Sequence, residues 1–528
     1  MNKRIPALVL AAVMAMSAAG CGSKTATDTT NTDATANTDT AQNTATAADN
    51  DLVIAFNTDV QSLDPHNTTD TLSISISNTM YESLIKFDEN QNIVPHLAES
   101  FKAEDDNLTY TFTLRQGVKF SDGTDFNADA VIANYERCLA DTTLRQNSNV
   151  KKWESVTKVD DYTVAVKLLT PDSSFLNRFT QFDIISPTAL ANGVDLNKES
   201  AGTGQYVFKE HVEGDHVTVV PNTEYWGTKA TVDSLTFRAV PEDGSRIAML
   251  QTGEADFIHP MPVIQAQDMN GQDGIVVETT PSNIIRYVTL NTTVPELSDK
   301  RVRQAMNYAI DKEAYAQVVF NGYCEEVLSC FPSTVSYYAE QTPYTYDLEK
   351  AKELMTEAGY PDGFSLTLWG DNMTIEQTGM QFIAQQLGQI GIQVEVVPME
   401  PTTLSEMIYM PEEENDVQMW YVNWSAGSFD ADGSMRSILH GDNVPPTSAN
   451  TAFFRNEEFD TLLDEAKLTT DTQELTDLYA QAQAIVWDEC PWLFLGNDDL
   501  VFAHQSYVNG IVMAPDGSLD RLYVHKDH

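Results

Sequence analysis

Positive charge is what this chain most conspicuously lacks. Its 528 residues hold 31 Lys and Arg against 78 Asp and Glu, a formal net charge of −47. A polyanionic partner needs a basic stripe, so nucleic acid is excluded, and so is direct adhesion to anionic lipid. Acidity on this scale is read as keeping an exported protein soluble rather than as meeting a particular cationic partner. Cysteine is sparse as well: beyond Cys21 there are only Cys138, Cys324, Cys330 and Cys490. None has the CxxC spacing of a redox or metal motif. Cys324 and Cys330 flank a short loop and can close a disulfide outside the cytoplasm, with two free buried thiols as the equal alternative. Catalytic patterns are missing. The nine histidines are scattered, and there is no HExxH, no GxSxG and no phosphate loop. Asp430-Ala431-Asp432-Gly433 resembles a calcium loop only superficially, because such a loop needs a further oxygen ligand before its Gly and a Glu after it. No catalytic residue, metal or cofactor is expected. Past the first twenty or so residues, no apolar run reaches the length that spans a bilayer.

The beginning of the chain is different. Lys3 and Arg4 give a positive start, Ile5 to Ala19 is almost wholly apolar or small, and Ala18-Ala19-Gly20-Cys21 follows. This resembles a bacterial lipobox, with Ala18 where Leu is usual. Residues 1–21 are therefore expected to be a lipoprotein signal and Cys21 the lipid-attachment site; an ordinary cleaved signal with a chance cysteine is the rival. Residues 22–50 are Thr, Ala, Asn and Asp, with no aromatic or large aliphatic side chain. Such a segment cannot bury enough apolar surface to offset its ordering entropy. It is expected to be a disordered tether with a root-mean-square reach of about 30 Å. The membrane would then be touched only through the lipid, on the extracytoplasmic face.

From Asp51 onward the length allows two or three domains. Leu52 to Phe56 reads as an apolar strand, and Tyr110, Phe112 and Leu114 alternate along another, as do Tyr162, Val164, Val166 and Leu168. Asn127 is placed to cap a helix through Ala140, and Ser298 to begin one whose buried face is Val302, Ala305, Met306, Ala309 and Ile310. Asp347 caps a helix that Gly359 stops, with Pro361 beyond it. Next come a strand from Phe364 to Trp369, a helix over Ile375 to Gln389 and a strand from Ile392 to Val397, a βαβ-like succession. Asp471 with Glu474 reads as a capping box. The class is α/β.

Several longer stretches carry a family resemblance. Pro95-His96-Leu97-Ala98-Glu99-Ser100-Phe101, followed by Thr109 to Gly123 (TYTFTLRQGVKFSDG), is similar to the signature of family 5 solute-binding proteins, which serve peptide, nickel and glutathione importers. Leu63-Asp64-Pro65, Tyr81-Glu82-Ser83-Leu84, Gly202-Thr203-Gly204-Gln205-Tyr206, Arg301-Val302-Arg303-Gln304-Ala305 and Tyr308-Ala309-Ile310-Asp311-Lys312 agree with it. The resemblance implies a two-lobe fold of the type II periplasmic-binding-protein kind with a subdomain inserted in lobe one. Lobe I would take 51–85, 201–280 and 500–528, its insert 86–200, and lobe II 281–499. It also implies a monomer that takes a solute between its lobes and hands it to an ABC permease.

The tract Asn423-Trp424-Ser425-Ala426-Gly427-Ser428-Phe429-Asp430-Ala431-Asp432 bears on the ligand. Dipeptide-binding relatives carry an Asp three residues after the Trp to pair the peptide amine; here that position is Gly427. With Val444-Pro445-Pro446-Thr447, Asn450 to Phe454 and Ile485 to Trp492, the tract is more similar to glutathione-binding proteins. Glutathione or a di- or oligopeptide is thus the implied ligand; a nickel chelate, haem or another solute, or a surface sensor without transport, are the alternatives. Glutathione has one ammonium and two carboxylates, so its site needs cations or helix-end amides and an acid. Arg286 is the candidate carboxylate fork and Arg436 the second. Asp430 or Asp432 can face the amine, and Trp424 offers a flat wall. Gly204 and Tyr206, in a tight turn, and His66 and Asn67, after the first strand, are further candidates. Each has a plainer reading: core packing for Trp424, an ion pair for Arg286, helix capping for Asp430 and Asp432, a structural turn for Gly204 and Tyr206, and a solvated loop, the favoured reading, for His66.

Overall fold

The computed structural model describes residues 50–425, 427–520 and 523–527. The signal, Cys21, residues 22–49 of the tether and Ala426 lie outside the described residues. One mixed sheet of eleven strands runs through both lobes. From one edge its order is Ile392–Met399, Phe364–Asp371, Met419–Ser425, Ile275–Leu290, Trp492–Gln505, Phe257–His259, Asp51–Phe56, Ser234–Ala239, His216–Pro221 and Tyr206–Val212, and Cys324–Glu326 also pairs with Trp492–Gln505.

Two strands join the halves. Ile275–Leu290 and Trp492–Gln505 are 16 and 14 residues long and pair antiparallel from Ile275↔Gln505 to Thr289↔Trp492. The ladder breaks between Pro281 and Ile285. Pro281 has no N–H to give. There the Asn497 amide donates to the carbonyls of Ser282 (3.0 Å) and Ile284 (2.7 Å), satisfying acceptors that the break strands. The boundaries 280/281 and 499/500 fall inside this ribbon.

Alternation along the ribbon sorts the second lobe into two cores. Tyr287, Trp492 and Phe494 point to one face, and Val288, Leu493 and Leu495 to the other. Helices cover both faces. The strands Phe364–Asp371 and Ile392–Met399 pair parallel around the helix Thr374–Gly388, as the βαβ reading expects. The first lobe packs Ile54, Phe56, Leu235, Phe237 and Phe257 into its own core. Within residues 86–200, the expected insert, lies an antiparallel four-stranded sheet, ordered Ala98–Ala103, Thr109–Leu114, Thr163–Leu168, Trp153–Asp160. It closes on aromatics: Phe175, Phe179 and Phe182 meet Trp153 edge-on at 5.2–5.8 Å between centroids, a favoured ring geometry.

Local chemistry sets the helix ends. Asn127 accepts from the Asp129 amide (2.9 Å) and starts the helix Ala128–Ala140; Asp347 accepts from the Lys350 amide (2.9 Å) and starts Leu348–Glu357. Gly359 follows at φ 93°, a conformation that favours glycine. Two expectations need correction. The helix expected from Ser298 is Lys300–Tyr308, capped by Asp299, because Ser298 closes a 3-10 turn by donating to the Pro295 carbonyl. The capping box at Asp471 is one-sided: Asp471 accepts from the Glu474 amide, but the Glu474 carboxylate accepts from the Thr469 hydroxyl instead of returning.

The disulfide reading of Cys324 and Cys330 is also corrected. Both are free and buried, like Cys138 and Cys490. Cys324 belongs to the core that holds Leu495, and Cys330 to the core that holds Phe494, on opposite faces of the same sheet. The sheet itself stands between the two thiols.

Candidate functional site

A cavity of about 390 Å³ lies where the first lobe, the insert and the second lobe meet. That volume lies within the range that encloses small organic ligands. The helix Thr71–Met80 supplies one wall through Ile74, Ser77 and Asn78. Asp70 caps it by accepting from the Ser73 amide (2.9 Å), and the chain then turns into Tyr81, Glu82 and Ser83 along the wall. The insert adds Lys86, Phe87, Arg145, Gln181 and Asp183. Residues 512–520 form a second side, and Pro281, Thr334 and Phe429 of the second lobe close the third. Tyr81, Phe87, Tyr206, Tyr225 and Phe429 make the lining strongly aromatic.

The carboxylates of this wall are not alike. Burial alone would raise the Glu82 carboxyl. It accepts from Thr203 Oγ1 (2.7 Å), Trp226 Nε1 (2.8 Å) and Tyr225 (2.8 Å), and His96 Nε2 stands 3.2 Å away. Those partners hold it below the usual carboxylate range. Its charge is thereby occupied. Asp183 is the opposite case. Its carboxylate accepts no hydrogen bond among the described residues, and burial followed by the charge of Glu82 pushes its pKa up to about 7. Asp516 is raised by burial although it accepts from the Ser518 amide (2.9 Å) and hydroxyl (2.6 Å). Arg145 faces it and gives one N–H to the Thr68 carbonyl (3.2 Å). The Tyr206 hydroxyl is buried at the wall without a partner among the described residues.

The structure brings few of the residues expected from sequence to this cavity. Tyr206 lines it. Gly204 stands behind the wall: a Cβ there would sit 2.5 Å from the backbone of Thr79 and Met80, so only glycine lets the turn lie against that helix end. His66 is fully buried, which corrects the solvated-loop reading. Its Nε2 meets the Asp183 carbonyl at 2.8 Å, its Nδ1 meets Arg137 at 2.7 Å, and its ring stacks on Phe182 at 5.3 Å. Burial, then Arg137, lowers its pKa to about 4. It thus props the backbone that carries Asp183. Asn67 is exposed and accepts from the Arg145 amide (3.2 Å).

Arg286 is outside the lining. Its Nε donates to both Asp498 oxygens (2.8 Å each), its NH1 donates to Glu376 (2.8 Å), and Phe320 packs on the guanidinium at 4.9 Å. Trp424 is half-buried against the core of Tyr287 and Trp492, with its indole N–H unpartnered among the described residues. Asp430 caps the helix Ala431–Leu439 by accepting from the Gly433 amide (2.7 Å), and it also accepts from Ser174 (2.6 Å) and Ser428. Asp432 binds Arg436 at 2.9 Å, and Arg436 reaches Asp464 at 2.7 Å. The Trp424 tract therefore touches the insert instead of lining the cavity at length. Asn177 donates to the Phe429 carbonyl (3.1 Å) and Gln181 to that of Gly427 (2.7 Å), while Phe429 itself meets Phe87 edge-on at 5.4 Å. Sequence reasoning missed Asp183, Arg145 and Lys86. Pro65, Tyr81, Glu82, Ser83 and His96 lay in quoted family motifs, which did not mark them as wall residues.

A central cleft between two lobes carried on one strand ribbon is the architecture of a solute-binding protein. The chain belongs to the bacterial extracellular solute-binding proteins of family 5, whose middle region matches residues 92–446. It is accordingly an extracytoplasmic binding protein and not an enzyme. It is 39% identical over 473 residues to the glutathione-binding protein GsiB of Salmonella typhi, covering 88% of this chain and 92% of that one. The protein of the same name from Pectobacterium atrosepticum is 37% identical over the same shares. Among solved structures, HbpA2 from Haemophilus parasuis superposes with a TM-score of 0.82 at 28% identity, covering 90% of this chain and all of the other. A dipeptide-binding protein from Pseudoalteromonas sp. SM9913 in complex with Met-Leu gives 0.68 at 27% identity, over 90% and 100%.

Proposed function

We propose that this chain is the substrate-binding lipoprotein of an ABC importer. In this reading Cys21 carries the lipid, residues 22–50 tether the protein to the membrane, and the cleft delivers glutathione or a short peptide to a permease. The observation that carries the ligand class is Asp183. It is an unpartnered carboxyl in an aromatic cleft, and a solute ammonium is the group that would complete it. It supplies the acid that is missing at Gly427. Lys86 and Arg145 line the same cleft as cations for solute carboxylates. The likeness to proteins named for glutathione binding favours a tripeptide of that chemistry.

Binding draws on enclosure. Once the lobes cover the solute, water leaves and each charged contact strengthens. The solute must favour the covered state over the uncovered one, or no signal reaches the permease. Isothermal titration of the purified protein with glutathione, Met-Leu and a tetrapeptide tests the reading. Saturable heat with at least one is expected. No heat with any of them would overturn it.

A further inference from the structure

One short stretch of the insert grips one short stretch of the second lobe. Ser174 Oγ donates to Asp430 (2.6 Å), the Asn177 side-chain amide to the Phe429 carbonyl (3.1 Å) and the Gln181 side-chain amide to the Gly427 carbonyl (2.7 Å). The donors stand three and four residues apart along the turns around the helix Phe175–Phe179, so they share one side of it. Ser174 occupies the N-cap of that helix, yet its hydroxyl does not cap it and reaches Asp430 instead. At the centre of the acceptors is Phe429, at φ 52°. A bulky residue rarely adopts this left-handed conformation and keeps it only where its surroundings over-determine it. Two donors hold its carbonyl: the Ser336 amide of its own lobe (3.1 Å) and Asn177 of the insert, whose side chain also reaches Ser336 Oγ at 3.4 Å. The Phe429 ring joins neither core of the second lobe. It lines the solute cleft, edge-on to Phe87. Asn177 is buried and lies outside that lining.

We infer that Asn177 is a positioning residue for solute binding, that Phe429 is the residue it positions, and that an apolar peptide side chain is the group that meets the Phe429 ring. The inference rests on the peptide reading of the cleft given above. By holding the Phe429 carbonyl from the insert, Asn177 fixes the backbone turn that brings the ring to the cleft. Gln181 holds the same tract and stands two residues before Asp183, the acid that takes the solute ammonium in that reading. Ring and acid are thus set by one contact between insert and second lobe. An apolar side chain placed against the paired rings of Phe429 and Phe87 leaves water and gains their contact area.

The test compares the purified full chain with N177L, F429G and the double variant. N177L keeps much of the side chain's shape and leaves the Phe429 carbonyl its bond from Ser336. F429G puts at φ 52° the residue that favours it, so both should fold. Without solute, hydrogen exchange by mass spectrometry should show the segment that carries the Ser336 amide exchanging about tenfold faster in N177L than in the native chain. In calorimetric titration Met-Leu should bind the native chain at least about tenfold more tightly than Gly-Gly, and F429G should remove most of that margin. N177L should weaken Met-Leu about fivefold, and add nothing once the ring is gone in the double variant. Unchanged exchange in N177L, or losses that add in the double variant, would overturn the positioning role. A margin that F429G leaves intact, or none in the native chain, would overturn the role of the ring. A native chain silent to Met-Leu, Gly-Gly and glutathione would sink the peptide reading and the role of the ring with it, even where the exchange responds.

Discussion

Asp183 holds a proton that an ammonium would displace. Its pKa is raised to about 7 from an ordinary 3.8, so between those values the folded state keeps a proton that the unfolded state has lost. Its contribution to stability falls as pH rises through that window. His66 and His259 act in the opposite sense. Burial, then Arg137 at His66, lowers each from 6.5 to about 4, so stability rises with pH between those two values. Asp183→Asn should therefore be more stable than the native chain above pH 7, by about 1 kcal/mol or more, as read by urea denaturation across pH. Titration of glutathione at pH 7 in buffers of different ionisation heat should show proton release by the native protein and none by the variant. Arg286 gives a contrasting outcome. Removing its cation leaves Asp498 and Glu376 buried without it, so Arg286→Met should cost about 3–5 kcal/mol of stability. If instead stability holds and glutathione affinity falls, Arg286 reads the solute. The ion-pair reading of Arg286 was legible, because an Arg within a buried strand must meet an anion. Its partners were not, because they come from positions 376 and 498, far along the chain.

At the scale of elements, the legible signals were those confined to one turn of chain. Asn127, Asp347 and Asp471 each accept from an amide two or three residues ahead, and that chemistry is complete within a short segment. The long strand Ile275–Leu290 is not legible in the sequence as one element. Pro281 interrupts it, and the Asn497 amide that repairs the interruption comes from the other strand. The site was illegible for a related reason: Asp183, Arg145 and Asp516 are single residues on separate elements that only the tertiary fold gathers. Asp430 shows both kinds of information at once. Its cap on Ala431–Leu439 is local, and its bond from Ser174 reaches the insert. Asp430→Ala should therefore lose about 1–2 kcal/mol, whereas Asp430→Asn keeps an acceptor for the Gly433 amide and should lose less. Guanidinium denaturation of the two variants side by side checks the order. Equal losses would mean that the charge, not the cap, is what matters there.

Across the whole molecule, self-repulsion competes with many small ion pairs. The formal charge of −47 opposes compaction. The pairs that counter it, such as Lys102–Glu104 and Lys350–Glu353, are mostly exposed, and exposed pairs contribute little. Added salt weakens both, but unequally. Raising NaCl from about 10 mM to about 150 mM shortens the screening length from about 30 Å to about 8 Å. Repulsion between acidic surfaces of separate lobes acts over such distances and is largely removed. Pairs in contact near 3 Å, such as Lys102–Glu104, or buried, such as Arg286–Asp498, are screened least. The thermal midpoint should therefore rise with NaCl over this range, by a few degrees, in scanning calorimetry without phosphate or sulfate. A midpoint that falls would mean that the ion-pair network outweighs the net charge.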